Sequence, residues 1–229
     1  MSRSRRTSRR RLTSRRRRTS RRRRTSRSRR IAGTILIALA GGFLTGLMLP
    51  SAMAPGYDFH NEAISDLGVI PETALLFNGA LVILGLLNGL AGLYYYRVHG
   101  SRWLLAVFAL AGLGAAVAGL VPLDAGAVHS FGALFAFLFF NVQALGVARR
   151  VGGAMRVLSL LAGGVGLAFL VLMVVGDGGD PAIFEPVGHA GAERMVGYPV
   201  MVWMIAFGGS LLGIAGDGAT PATPEDRTA

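Results

Sequence analysis

Three of the four histidines, His60, His129 and His189, fall in or beside three different connections between apolar stretches. Asp58, Glu62, Asp66, Asp124, Asp177, Asp180, Glu185 and Glu193 accompany them. Imidazoles and carboxylates arriving from separate connections form a donor set suited to a divalent metal, and an open position on such an ion activates water. His60, His129 and His189 are therefore the candidate metal ligands. Without a metal, the same groups can hydrogen-bond a lipid headgroup or pass protons, and in that role Asp66, His129, His189 and Glu193 are the catalytic candidates. Local spacing adds two expectations. Asp58, Glu62 and Asp66 follow one another at four-residue intervals, so a short helix there would line three carboxylates along one face. Like charges at that spacing repel unless a cation or an Arg compensates, and Arg194 is the candidate partner. His189 and Glu193 are also four apart, so that one can orient the other. A plainer reading competes with both: Asp66 and Asp124 can cap turns, and Glu72 after Pro71 suits a first helical turn.

What is missing narrows the chemistry. The chain has no Cys, which excludes disulfides, iron–sulfur clusters, attached c-type haem and a thiol nucleophile. No HExxH, GxSxG or glycine-rich phosphate loop is present, so familiar hydrolase and nucleotide chemistries are disfavoured.

The elements that must position these residues are apolar. Of 229 residues, 52% are hydrophobic and 16% charged, against about 25% charged in a soluble domain. Six stretches approach the ~20 residues that cross a bilayer: 31–50, 73–96, 102–122, 129–148, 157–175 and 197–215. The first is too long for the apolar core of a signal peptide and five more follow, so it reads as an anchor. The predicted fold is all-α, an integral membrane bundle of six transmembrane helices over 31–215. A disordered Arg-rich tail covers 1–30 and a short disordered tail covers 216–229. Gly33, Gly41, Gly42, Gly46, Gly163, Gly164 and Gly166 predict tight helix crossings, and Asn78, Asn88, Asn141 and Gln143 predict hydrogen bonds between helices. No predicted span carries a charge near its centre, which disfavours a transporter or proton relay.

Charge sets the orientation. All 24 basic residues are Arg, and seventeen lie in residues 1–30. Arg97, Arg102, Arg149, Arg150 and Arg156 occupy the second–third and fourth–fifth connections, on the same side as the tail. The remaining connections hold Arg194 and nine acidic residues. The positive-inside rule then places both termini in the cytoplasm of a multi-pass cell (plasma) membrane protein, with the histidine-bearing connections outside. Tyr94, Tyr95, Tyr96 and Trp103 stand where an interfacial aromatic belt forms.

The tail repeats Thr-Ser every six residues, at Thr7, Thr13, Thr19 and Thr25, between runs of Arg. Lacking apolar residues for a core, it is expected to be disordered in isolation. Three readings stand: attraction to anionic lipid of the facing leaflet, salt-sensitive contact with nucleic acid, and a slipped tandem repeat or an over-extended start with no role of its own.

At Asn61-x-x-Ile64-Ser65-Asp66-Leu67-Gly68, then Phe77-Asn78-Gly79, His129-Ser130-x-Gly132-Ala133, Glu193-Arg194, Tyr198-Pro199 and Trp203, the chain resembles a prokaryotic, mostly archaeal membrane family catalogued as domain of unknown function 998. The resemblance spans 31–215 and excludes the tail. It implies a six-span fold and no established activity. It gives weight to Asn61, Ser65, Asp66, His129 and Glu193 as a site, with Asn78 and Arg194 beside them in the same motifs as ligand-binding candidates. The favoured function is a polar site at the outer mouth that binds or acts on a lipid headgroup or small polar ligand. The alternative is a non-catalytic membrane scaffold or accessory subunit whose Arg tail contacts anionic lipid or a cytoplasmic partner.

Overall fold

The computed structural model describes residues 2–213, with side chains from residue 22 onward. The tail at 216–229 lies outside the described residues. Among those described there is no strand. The helices are α1 (Ser2–Met53), α2 (Ala74–His99), α3 (Arg102–Leu120), α4 (Ala127–Ala148), α5 (Gly153–Asp177) and α6 (Gly188–Leu212). All six are long and apolar enough to cross a membrane, the first from Arg22.

Two boundaries differ from those expected. The Arg repeat, read as disordered in isolation, runs here as a continuous helix into the first span. Arg is a good helix former, and a helix that extends an existing one avoids the cost of nucleation. The sixth helix begins at Gly188, nine residues before the apolar run at 197. Its first turns are mostly buried against the acidic-face loops and carry His189, Glu193 and Arg194, so hydropathy alone does not register them.

Each helix packs against its neighbour in sequence, and α6 returns to α1 and closes the ring. Short connections enforce the antiparallel order on one face. Between α2 and α3 only Gly100 and Ser101 intervene: Gly100 takes the left-handed conformation (φ 69°) that ends α2, and Ser101 caps α3. On the opposite, acidic face the connections are longer. Residues 54–73 include a 3-10 turn at Ile64–Gly68, and 178–187 include another at Pro181–Phe184.

Small residues set the crossing distances. A methyl group at Gly33 would stand 2.6 Å from the Gly208 carbonyl oxygen, joining α1 to α6. Gly85 and Gly112 meet backbone to backbone between α2 and α3, as do Gly114 and Gly132 between α3 and α4. Of the glycines expected at crossings, Gly33, Gly163 and Gly166 lie there. Gly41, Gly42 and Gly164 face open space, and Gly46 only grazes Ala80. Those four lie on helix surfaces turned away from any neighbouring backbone, which their spacing does not reveal.

Three of the four amides expected to join helices do so, while Asn78 bonds the Gly68 carbonyl in the 54–73 connection instead, because it stands one turn into α2 beside that loop. Asn88 Nδ2 donates to Gln143 Oε1 (3.1 Å) and to the Phe108 carbonyl (2.9 Å), while Gln143 Nε2 donates to Asn88 Oδ1 (3.3 Å). Asn141 Nδ2 donates across to the Val196 carbonyl (3.1 Å), and Trp203 Nε1 donates to Ser159 Oγ (2.8 Å). In hydrocarbon such pairs contribute about 0.6–2 kcal/mol each.

Candidate site beneath the acidic face

The 3-10 turn Ile64–Gly68 is pinned from three sides. Asp66 Oδ2 accepts from the Ala63 amide (2.6 Å), Thr73 Oγ1 donates to the Leu67 carbonyl (2.8 Å), and Asn78 Nδ2 donates to the Gly68 carbonyl (2.8 Å). Gly68 admits that approach, because a methyl there would stand 2.6 Å from Asn78 Oδ1. The fourth tie comes from α6: Ile64 N donates to Glu193 Oε2. Glu193 is 5% exposed, so the hydrogen bond matters: a buried carboxyl group without partners is costly.

Below this turn lies a cavity of about 60 Å³ to which every helix except α5 contributes. Its walls are mostly apolar, with Phe43, Phe77, Phe137 and Phe140 among them. The polar residues Ser65, His129, Glu193 and Tyr198 also line it, but they turn almost no polar surface inward. Ser65 lies in the acidic-face loop, His129 is the third residue of α4 and Glu193 the sixth of α6, so these three gather at the acidic-face end, while Tyr198 lies ten residues into α6. Phe43 and Phe140 lie ten or more residues from the acidic-face ends of their helices, at least about 15 Å deeper at 1.5 Å per residue. His129 is 3% exposed, and its Nδ1 faces the carbonyls of Val121 (2.8 Å) and Ala118 (3.1 Å). Two carbonyl partners assign the proton to Nδ1 in the neutral ring and leave Nε2 an acceptor. Pro199, just beyond Tyr198, has no N–H to offer the Met195 carbonyl, which loosens α6 beside the cavity.

The other expected site residues lie outside it. Asp58, Glu62 and Asp66 do not share a helical face, because residues 58–63 form turns and not an α-helix. Each carboxylate instead caps a backbone amide: Asp58 accepts from His60 N (2.8 Å), Glu62 from Asp58 N (2.8 Å), and Asp66 from Ala63 N. The amide of His60 and the side chain of Asn61 (2.6 Å) hold the Asp58 carboxyl below its usual range. Arg194 pairs with none of these acids. Its Nη2 donates to Tyr57 Oη (2.8 Å), its Nη1 donates to the Ala190 carbonyl (3.0 Å), and it stacks on Phe59 at 4.8 Å. Burial pushes the Tyr57 hydroxyl up to about 12, against the opposing pull of Arg194. His189 is not oriented by Glu193 either: its Nε2 meets Asp177 Oδ1 (3.0 Å). His60 stands 3.8 Å from Glu185, and His129 is turned to α3 carbonyls, so the three expected metal ligands do not converge. Among the described residues no group of three or more His, Asp or Glu could hold a metal ion.

Of the ligand-binding candidates, the fold therefore brings Ser65, His129 and Glu193 to one cavity. It leaves Asn61 exposed on the loop, and it uses Asp66, Asn78 and Arg194 to lock the roof. Tyr198 and the phenylalanine wall were not expected as site residues. Tyr198 carried a usable signal, an aromatic hydroxyl five residues after a carboxylate on an apolar helix.

No curated protein and no solved structure matches this chain. A family model does match, over residues 37–210, and it begins after the Arg arm. Through that match the chain belongs to the family described as Protein of unknown function (DUF998).

Proposed function

We propose that the protein binds a small amphipathic molecule in the cavity beneath the acidic face. The polar end would meet Ser65, His129 and Glu193, and the apolar end would lie deeper, toward Phe43 and Phe140. The observation that carries this reading is the cavity itself, almost wholly apolar in its walls, with the polar residues Ser65, His129 and Glu193 among its lining at the acidic-face end, the usual character of a ligand pocket. At 60 Å³ it has room for a few waters at ~10–15 Å³ each, so it takes a short apolar segment with a small polar end and not a whole lipid.

The test is native mass spectrometry of detergent-purified protein carrying molecules retained from its membrane. His129→Asn keeps a donor where Nδ1 stands, and Glu193→Gln keeps an acceptor for Ile64 N. Ala133→Leu fills the space. Each is expected to lower retention of the same species about tenfold while the melting temperature moves by only a few degrees. Equal retention in all three variants would overturn the binding reading and favour the scaffold.

We also propose that the acidic face is extracytoplasmic in the cell membrane, supported by the Arg distribution. In a chain that has no other Cys, Ala125→Cys and Ala182→Cys are expected to react with an impermeant maleimide on intact cells. Gly152→Cys should react only after permeabilisation. The reverse pattern would invert the topology.

A further inference from the structure

On the face opposite the cavity, α1 and α2 enclose a crevice of about 740 Å³ lined by Arg24, Thr25, Arg27, Ser28, Ile31, Tyr94 and Arg97. Its three guanidinium groups come from two helices, and Arg97 lies 4.9 Å over the Tyr94 ring, which holds the Arg at the rim. Among the described residues all nine carboxylates lie at the other end of the bundle, and neither recorded ion pair involves an Arg. The neighbouring Arg29 is already committed, donating from Nε to the Leu211 carbonyl (2.7 Å) at the end of α6. Arg24, Arg27 and Arg97 are thus exposed positive charge, with no carboxylate nearby among the described residues, gathered on a half-apolar floor.

Depth selects the occupant. The apolar run of α1 begins at Ile31, immediately after Arg30, and α2 ends just past Tyr94–Tyr96. Ile31 and Tyr94 therefore mark the boundary between hydrocarbon and headgroups, with the Arg side chains on the aqueous side. A phosphate held by planar, forked guanidinium groups is a favourable pairing, and Arg suits it better than Lys. An acyl chain leaving that phosphate would run down past Ile31 along the lipid-exposed sides of α1 and α2, where Leu86, Leu90 and Leu93 are exposed.

We propose that this crevice is a specific site for the headgroup of an anionic phospholipid in the leaflet on the Arg-rich face, independent of the cavity at the other end. The charge complements the phosphate, and the floor sits at the depth a lipid phosphate occupies. A nucleic acid would engage the repeat further out and would not reach Ile31.

The experiment compares three forms of the protein in mixed micelles of phosphatidylglycerol and phosphatidylcholine, counting retained lipid by native mass spectrometry. The forms are the unmodified chain, a chain lacking residues 2–21, and an Arg24→Gln/Arg27→Gln/Arg97→Gln triple variant. The unmodified and shortened chains are expected to retain phosphatidylglycerol in preference to phosphatidylcholine. The triple variant should lose that preference at least about tenfold, with its melting temperature in phosphatidylcholine unchanged. Millimolar inorganic phosphate should displace little of the lipid, because it lacks the acyl chains. A triple variant that keeps its preference would overturn the site. So would loss of the preference on removing residues 2–21 alone, ready displacement by phosphate or by a short duplex RNA, or no retained phosphatidylglycerol in any form.

Discussion

Gly85→Ala is expected to destabilise the bundle by about 2–3 kcal/mol, the range for forcing a carbon into a well-packed interior. The added methyl would run into the Gly112 carbonyl oxygen and stand 2.9 Å from Ala116 N, both backbone atoms that cannot turn aside. The only relief is separation of α2 from α3. Asn88, one turn further along α2, would then be drawn from the Phe108 carbonyl that its Nδ2 now meets at 2.9 Å. Gly89→Ala in the same helix meets nothing within 4 Å. That change should be neutral or stabilising by up to about 1 kcal/mol, since Ala is the better helix former. Equilibrium unfolding in mixed detergent micelles measures both, and equal effects at the two positions would remove the crossing from the account.

Gly188→Ala should cost a similar amount but act on the site instead of the ring. Gly188 sits at φ +70°, where an L side chain is strained by about 1–2 kcal/mol. Its added carbon would also strike the His60 carbonyl oxygen, which accepts from Ala190 N at 3.2 Å. That contact docks the 54–63 loop on the start of α6, one turn from the Glu193–Ile64 tie. Losing it adds about 1 kcal/mol and frees the roof of the cavity. Gly100→Ala is the control: it has the same sign of φ (69°) and open space around the added carbon, so it carries strain alone. The expected readings for Gly188→Ala are a total loss near 3 kcal/mol, faster proteolysis within 54–63 and lower ligand retention. Gly100→Ala should show only the smaller destabilisation. If proteolysis of the loop is the same in both variants, the loop is not held by α6.

The six spans were legible because each solves a problem that composition alone poses: a backbone in hydrocarbon must satisfy itself, and only long apolar helices do so. Asn88 and Gln143 were legible as helix ties for the same reason, since an amide at that depth has only another helix to bond. Carboxylates near the membrane surface are different. Asp66, Glu193 and Asp58 are the same kind of group within a few residues of a span end, yet one pins a turn, one is buried against a cavity and one is exposed on a loop. Spacing treats His189–Glu193 and Asp58–Glu62–Asp66 as helical faces. The chain has no helix through the second set, and in the first it turns each side chain to a different neighbour.

By itself the sequence determined what hydropathy, charge sign and amide chemistry dictate locally: six crossings, an acidic end and an Arg-rich end, and polar ties at depth. The tertiary structure decided what depends on which helix stands beside which. It chose Ser65, His129, Glu193 and Tyr198 from a dozen polar residues as the ones that share a cavity, because α6 starts nine residues early and reaches back to the 3-10 turn. It committed Arg194 to Tyr57, Phe59 and the Ala190 carbonyl, which take its Nη groups and the face of the guanidinium and leave Nε buried without a partner. It also separated glycines that bring backbones together from glycines that face open space, a distinction set by the direction each helix face takes in the closed ring and by nothing in the spacing of the residues.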